Sequence, residues 1–237
     1  MALVITQPSS PDDFALMAHT RAKLDAILDG TIRIPGNGIS SILLYGLWGT
    51  GKTTMAHLLP GWLETVKTTP FLQVGNDIGQ LEDITTPNYD FHPCSQGQNG
   101  VTLINNILTT SSYMSWNTSN LHYIILDEVD LLTAAASASL KAIMNRNDVI
   151  FILTTNHLEK IDQGVINRSI VLDLNAAPTP AWMAKIKGIY ASSGATAPSD
   201  QAIEGIIKAG NGSARTILTD LEIAEAKRSR LQGGSKS

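Results

Sequence analysis

Apolar residues along the 237-residue chain follow two patterns, short unbroken runs and steps of three to four residues. The runs Ser41–Tyr45 (SILLY), Leu121–Leu126 (LHYIIL), Val149–Leu153 (VIFIL) and Ser169–Leu174 have strand length. Those at 121–126 and 149–153 lack the polar alternation of a half-exposed sheet, so they predict strands covered on both faces, as in a parallel sheet. A shorter run, FLQV at 71–74, predicts a further strand, and Leu3–Thr6 a small edge strand. Between them the stepped pattern predicts helices: Asp12 to Gly30, a stretch from Thr53 that Pro60-Gly61 should kink or end although Trp62, Leu63 and Val66 resume helical spacing, Val101–Trp116, and Leu131–Met144. Residues Ile78–Asn99 keep no period and read as a long loop with at most one helical turn. Beyond the proline-bearing stretch 175–180 only helical spacing remains, at about Ala181–Ala191, Ser199–Ala209 and Ser213–Arg230. The polar tail from Gln232 should be disordered. Helices alternating with strands predict an α/β protein, a doubly wound parallel five-stranded sheet over residues 1–175. A small all-helical domain over 176–231 and a tail at 232–237 complete the predicted order.

Composition narrows this only slightly. Hydrophobic residues make up 43% of the chain, enough for a substantial core, and the net charge of −4 gives no overall basic field for nucleic acid. The single cysteine, Cys94, cannot form an internal disulfide and reads as a passive loop thiol in a reducing compartment. No apolar run reaches the roughly 18 residues that span a bilayer, and the N-terminus lacks a signal-peptide layout. The expected location is the cytoplasm, or that of an infected host if the chain is phage-encoded, with no membrane partner.

The chemistry starts directly after the first run. Gly46-Leu47-Trp48-Gly49-Thr50-Gly51-Lys52-Thr53 fits the phosphate-loop pattern G-x-x-x-x-G-K-[ST], and Thr54 continues it into a predicted helix. Glycines let the backbone fold so that successive N–H groups face an anion, and the helix that follows adds the positive end of its dipole. Lys52 is placed to reach the β- and γ-phosphates of a nucleotide, and the Thr53 hydroxyl to ligate Mg2+. A glycine-rich surface turn would need neither a strand before it nor a helix after it; both are predicted here. A nucleotide and Mg2+ are therefore the expected ligands.

Two further runs end in polar groups that can converge on that loop, because the C-terminal ends of parallel strands share one crevice. Asp127 closes one run and can hold Mg2+ opposite Thr53, while Glu128 can polarise a water for attack on the γ-phosphate. Alone, such a pair would read as a solvated acidic turn. Asn156, after the next run, can align the same water, although a turn-forming asparagine has the same position.

Taken in order, GLWGTGKTT, YIILDEVDLL, FILTTN, INRS and GSARTILTDLE resemble the Walker A, Walker B, sensor 1, arginine-finger and sensor 2 motifs of the AAA+ ATPases. The resemblance runs from about Ser40 to Ala224 and is closest to the clamp-loader clade, its small subunits without the collar domain; FLQVGND resembles the stretch after the second strand of such subunits. It implies that Lys52 and Thr53 serve phosphate and metal, Asp127 the metal, Glu128 catalysis as the base, and Asn156 sensor 1. It also implies that Arg168 reaches a neighbouring copy's nucleotide, and that Arg215 touches the γ-phosphate in its own chain and couples the helical domain to nucleotide state. Asn167 and Ser169 stand where the family's finger motif has Ser and Cys.

The implied activity is Mg2+-dependent ATP hydrolysis by a ring or spiral of copies acting on DNA during replication, with a sliding clamp or a helicase as partner. DNA backbone would be met at Lys141, Arg146 and the segment Asn99–Thr102, although the two basic residues read equally well as a solvated helix face, while Lys227, Arg228 and Arg230 read as a helix-end cap. An alternative is an ATP switch of the helicase-loader or transposition-regulator kind, forming oligomers or filaments on DNA. A protein-remodelling ring ranks last, because Gly75-Asn76-Asp77-Ile78 carries no aromatic pore residue.

Overall fold

Every residue of Val149–Thr155 is buried, and so are four of the six in His122–Asp127, as the unbroken apolar runs require. In the computed structural model, which describes residues 3–68, 86–95, 97–175 and 177–233, these runs form a five-stranded sheet. Its strands are β1 (Ser41–Tyr45), β2 (Tyr89–Pro93), β3 (His122–Asp127), β4 (Val149–Thr155) and β5 (Ser169–Asp173), in the order β2-β3-β4-β1-β5. All four pairings are parallel. The helices are α1 (Ala18–Leu28), α2 (Lys52–Thr68), α3 (Val101–Thr110), α4 (Ala134–Ile143), α5 (Gln163–Ile166), α6 (Thr179–Ser192), α7 (Asp200–Ala209) and α8 (Ala214–Gly233). One sheet face, with Leu43, Ile124, Leu126, Phe151 and Leu153, packs against Ile104 and Ile107 of α3 and Leu140 of α4. Residues alternate faces along a strand, and α2 packs against β1, β3 and β4.

The chain divides into two compact units. The sheet unit comprises His19–Gly46 and Lys52–Asp173; the other takes the described residues of Met1–Ala18, Leu47–Gly51 and Leu174–Ser237. The second has its own core, with Trp182, Ile186 and Tyr190 of α6, Ile203 and Ile207 of α7, and Ile217 and Leu221 of α8. Ser199 caps α7 by accepting from Ala202 N.

Several local expectations are revised. Pro60 lies inside α2 and does not end it, so the helical spacing that resumes at Trp62, Leu63 and Val66 belongs to the same helix. Proline removes one backbone bond and costs about 3 kcal/mol in a helix interior, but Leu59, Trp62 and Leu63 around it are all buried. Their packing holds the helix together. Residues 78–85 and 96 of the loop expected over Ile78–Asn99 lie outside the described residues; within the rest, Tyr89–Pro93 form strand β2, whose residues are mostly exposed, so no apolar period marks it. The run at 71–74 and the tetrapeptide 75–78 lie outside the described residues. The helix expected from Asp12 breaks into a 3-10 turn, Pro11–Asp13, and α1. That from Val101 stops at Thr110, leaving Tyr113, Met114 and Trp116 exposed at 70%, 86% and 91%. Leu3 and Ile5 form no strand; they pack onto the helical core, and Val4 N donates to Ser193 Oγ at 3.1 Å. Cys94 is fully buried, and burial first, then Asp127, Asp130 and Glu128, push its thiol up to about 12, which makes it inert.

Candidate nucleotide site

The parallel register brings Tyr45, Asp127 and Thr155 to the same end of the sheet: Tyr45 pairs with Thr155 and Leu126 with Leu153. Immediately past these positions come Gly46, Glu128 and Asn156. Gly46 N donates to Thr155 O at 3.3 Å, so the start of the phosphate loop is tied to the strand that Asn156 follows. Across the same edge Thr53 Oγ1 donates to Asp127 Oδ1 at 3.0 Å. Thr154 Oγ1 donates to that same oxygen at 2.6 Å.

Lys52 opens α2 with only 8% of its surface exposed, and its Nζ donates to Gly46 O at 2.8 Å. Burial pulls its pKa from 10.5 down to about 8, against the opposing pull of Asp127, Glu128 and Asp130. An ammonium held this way is short of solvent and ready to exchange a carbonyl for a phosphate oxygen. Glu128 is exposed and sits in the left-handed region, at φ 60° and ψ 51°. Non-glycine residues rarely occupy this region, and those that do cluster at working sites. Asn156 is half-buried, and its amide forms no hydrogen bond among the described residues.

Leu47–Gly51 belong to the second unit, and there the loop is held by its own neighbours. Leu47 N donates to Asn175 Oδ1 at 3.0 Å, and Thr50 Oγ1 to Leu47 O at 3.0 Å. Arg215 N, at the start of α8, donates to Gly49 O at 3.0 Å. Gly49 has φ +76°, and a Cβ there would meet Ser213 Oγ at 2.5 Å, so only glycine suits the position. Gly51 has φ +95°, with the Phe14 ring beside it. Leu47 and Trp48 are exposed. The Arg215 side chain is exposed and makes no ion pair or hydrogen bond among the described residues.

Arg168 lies elsewhere. Its carbonyl accepts from Ser40 N at 3.1 Å, at the beginning of β1 and β5. The six residue steps from Ser40 through β1 to Gly46 span roughly 20 Å at 3.3 Å per residue. Its guanidinium donates to Asn145 Oδ1 at 3.0 Å and Gly164 O at 2.9 Å. The basic residues named for DNA also have partners. Lys141 pairs with Asp162 at 3.0 Å, and Arg146 donates to Asp148 at 2.8 Å and to Ser111 O at 2.6 Å. Asn99 Nδ2 donates to Leu131 O at 3.0 Å, and Arg228 donates to Thr196 O at 2.6 Å.

Thr154, Thr155 and Asp130 carry contacts that pattern reading overlooked: Thr155 Oγ1 donates to Asp130 Oδ1 at 2.7 Å and accepts from His157 N at 2.9 Å. The one signal for them was a pair of hydroxyl residues ending an otherwise apolar run. A hydroxyl and a carboxylate at 3.0 Å beside a lysine form the hard-oxygen donor set that Mg2+ takes together with phosphate.

Known proteins extend the picture. The sequence model of the ATPase family associated with various cellular activities (AAA) matches residues 42–172. Replication factor C small subunit 2 of Pyrobaculum arsenaticum is 24% identical over 221 residues, covering 92% of this chain and 61% of its own. Replication factor C small subunit 1 of Pyrobaculum islandicum is 25% identical over 223 residues, covering 93% and 60%. The chain thus spans about three-fifths of the length of these relatives. Among solved structures, the RuvB Holliday junction branch migration motor of Thermotoga maritima superimposes with a TM-score of 0.63 at 20% identity, over 90% of this chain and 63% of its own, a likeness of fold. With the family's domain matched across more than half the chain and the phosphate loop, acidic strand end and parallel sheet in place, this protein belongs to the AAA family of ATPases.

Proposed function

We propose that the chain hydrolyses ATP with Mg2+ in assemblies of several copies, and that these assemblies act on DNA during replication in the manner of a clamp loader. The observation that carries this reading is the meeting of Thr53, Asp127 and Lys52 at one end of β1 and β3, with Glu128 and Asn156 alongside. Loop N–H groups and Lys52 bind the β- and γ-phosphates; Thr53 and Asp127 would hold Mg2+, which supplies charge neutralisation at the phosphates. Glu128 accepts a proton from the attacking water, and Asn156 orients that water. Arg168 serves an adjacent copy, in line with its place just before β5 at the edge of the sheet opposite Gly46, and Arg215 senses the γ-phosphate from the helical domain, residues 176–231. The replication context is supported by the names of the relatives. A protein partner, a sliding clamp or a helicase, is supported by exposed Tyr113, Met114 and Trp116 near the start of β3. No described helix is long and apolar enough to cross a membrane, and the cytoplasm is the proposed location.

The test combines an ATPase assay across protein concentration with electron microscopy in a non-hydrolysable ATP analogue and primed DNA. Specific activity should rise with concentration, Lys52→Ala should lose nucleotide binding, and closed or spiral assemblies of defined size should appear. Continuous filaments would favour the helicase-loader or transposition-regulator kind of switch instead. Activity independent of concentration would remove the shared site.

A further inference from the structure

Thr154 is 1% exposed and is the last residue but one of the fully buried strand β4, yet its hydroxyl is bonded twice to the acidic segment across the strand gap. Its proton goes to Asp127 Oδ1 at 2.6 Å, and its oxygen accepts from Glu128 N at 3.0 Å. One hydroxyl has a single proton to donate and lone pairs to accept with, so the two bonds use it in both directions at once. On one side it orients the carboxylate that also accepts from Thr53 Oγ1 at 3.0 Å. On the other it fixes the peptide of a residue whose φ of 60° an L-residue seldom adopts unaided. The next residue does the same for the far end of the segment, through the Thr155–Asp130 bond of 2.7 Å.

We propose that Thr154 is a positioning residue for ATP hydrolysis, whose hydroxyl holds the Asp127 carboxylate and the Glu128 backbone in one working geometry without touching nucleotide. The inference rests on the ATPase reading above. A residue acting in this way sets turnover and leaves nucleotide affinity alone, because the Gly46–Thr53 loop binds phosphate without it.

The test is Thr154→Val, which keeps the side-chain shape and removes both bonds, beside Thr154→Ser, which keeps the hydroxyl. Thr154→Ala repeats the loss with a smaller side chain in case valine does not pack. Turnover by the full chain and binding of a fluorescent ATP analogue are read on each. The expected result is a kcat at least 20-fold lower for the valine and alanine variants, analogue affinity within threefold of wild type, and at least a third of wild-type kcat for the serine variant. Unchanged kcat in Thr154→Val, an equal fall in affinity and kcat, or a serine variant as slow as the valine one would each overturn the proposal. The wild-type chain in the same plate separates the two readings: if it neither binds nor hydrolyses ATP, the ATPase reading fails as well; if it does both while Thr154→Val matches it, only the role of Thr154 fails.

Discussion

Replacing Lys52 by methionine should make the nucleotide-free protein more stable while it destroys the nucleotide site. Lys52 is charged, 8% exposed and set at the start of α2, where the helix dipole also disfavours a cation. A displacement of its pKa from 10.5 to about 8 corresponds to roughly 3 kcal/mol of penalty on the charged form. Water reaching the loop screens part of this, leaving about 2 kcal/mol. Losing the 2.8 Å bond to Gly46 O takes back about 1 kcal/mol. The net gain is about 1 kcal/mol at pH 7, or roughly 2–4 °C in Tm for a chain of this size. The sign with pH follows from a folded pKa below the unfolded one. The penalty is complete below about pH 8, shrinks as the folded wild type sheds its proton, and is gone by pH 10.5, where the unfolded chain is neutral too. Urea unfolding of both proteins at pH 7 and pH 9.5, compared as differences, cancels the groups they share. Saturating Mg2+ and ATP should invert the order, since only the wild type gains ligand stabilisation, about 2.7 kcal/mol at a hundred times Kd. A methionine variant less stable than wild type at pH 7, or a difference that does not change with pH, would refute the account of Lys52.

Three other outcomes are expected. Glu128→Gln should keep analogue binding and lower turnover by about 10²-fold or more, as removal of a general base does; rapid steady-state hydrolysis by this variant would mean that another group takes the proton. Neither Arg168→Ala nor Lys52→Ala should turn over alone, but a mixture should regain activity, because the first supplies a cradle and the second a guanidinium; an inactive mixture that still assembles would count against a site built from two copies. Tyr123→Phe should lower unfolding free energy by about 1.5–3 kcal/mol, because the Tyr123 hydroxyl donates to buried Glu64 at 2.7 Å; its kcat should stay at the wild-type value in the same ATPase assay.

The legible parts of the sequence were those where physics leaves one answer. β3 and β4 are enclosed on both faces, so their residues are apolar without interruption, and the loop from Gly46 to Thr53 needs particular residue types at particular positions. β2 was illegible because it is an edge strand with little burial, and its hydrogen bonds to β3 leave no mark on composition. Continuation of α2 through Pro60 depends on packing partners far along the chain, which no local propensity contains. The same holds for charge: Lys141 and Arg146 read as free basic residues on a helix face until folding brings Asp162 to the one and Ser111 to the other. Thr154 and Thr155 are hidden differently, as β-branched residues that suit a strand whether or not their hydroxyls have work to do.

Arg168 stands a whole strand away from its own Gly46, and this bears on stoichiometry. If each copy completes the pocket of the next, a row laid head to tail has unlike ends. The terminal copy on one side keeps a pocket that nobody finishes, and the copy on the other has a guanidinium that completes no pocket. A pair would then work at about half the per-copy rate of a closed circle, and each added copy would raise the average toward that ceiling. Turnover per molecule would thus report the length of the row, before any image of it is taken.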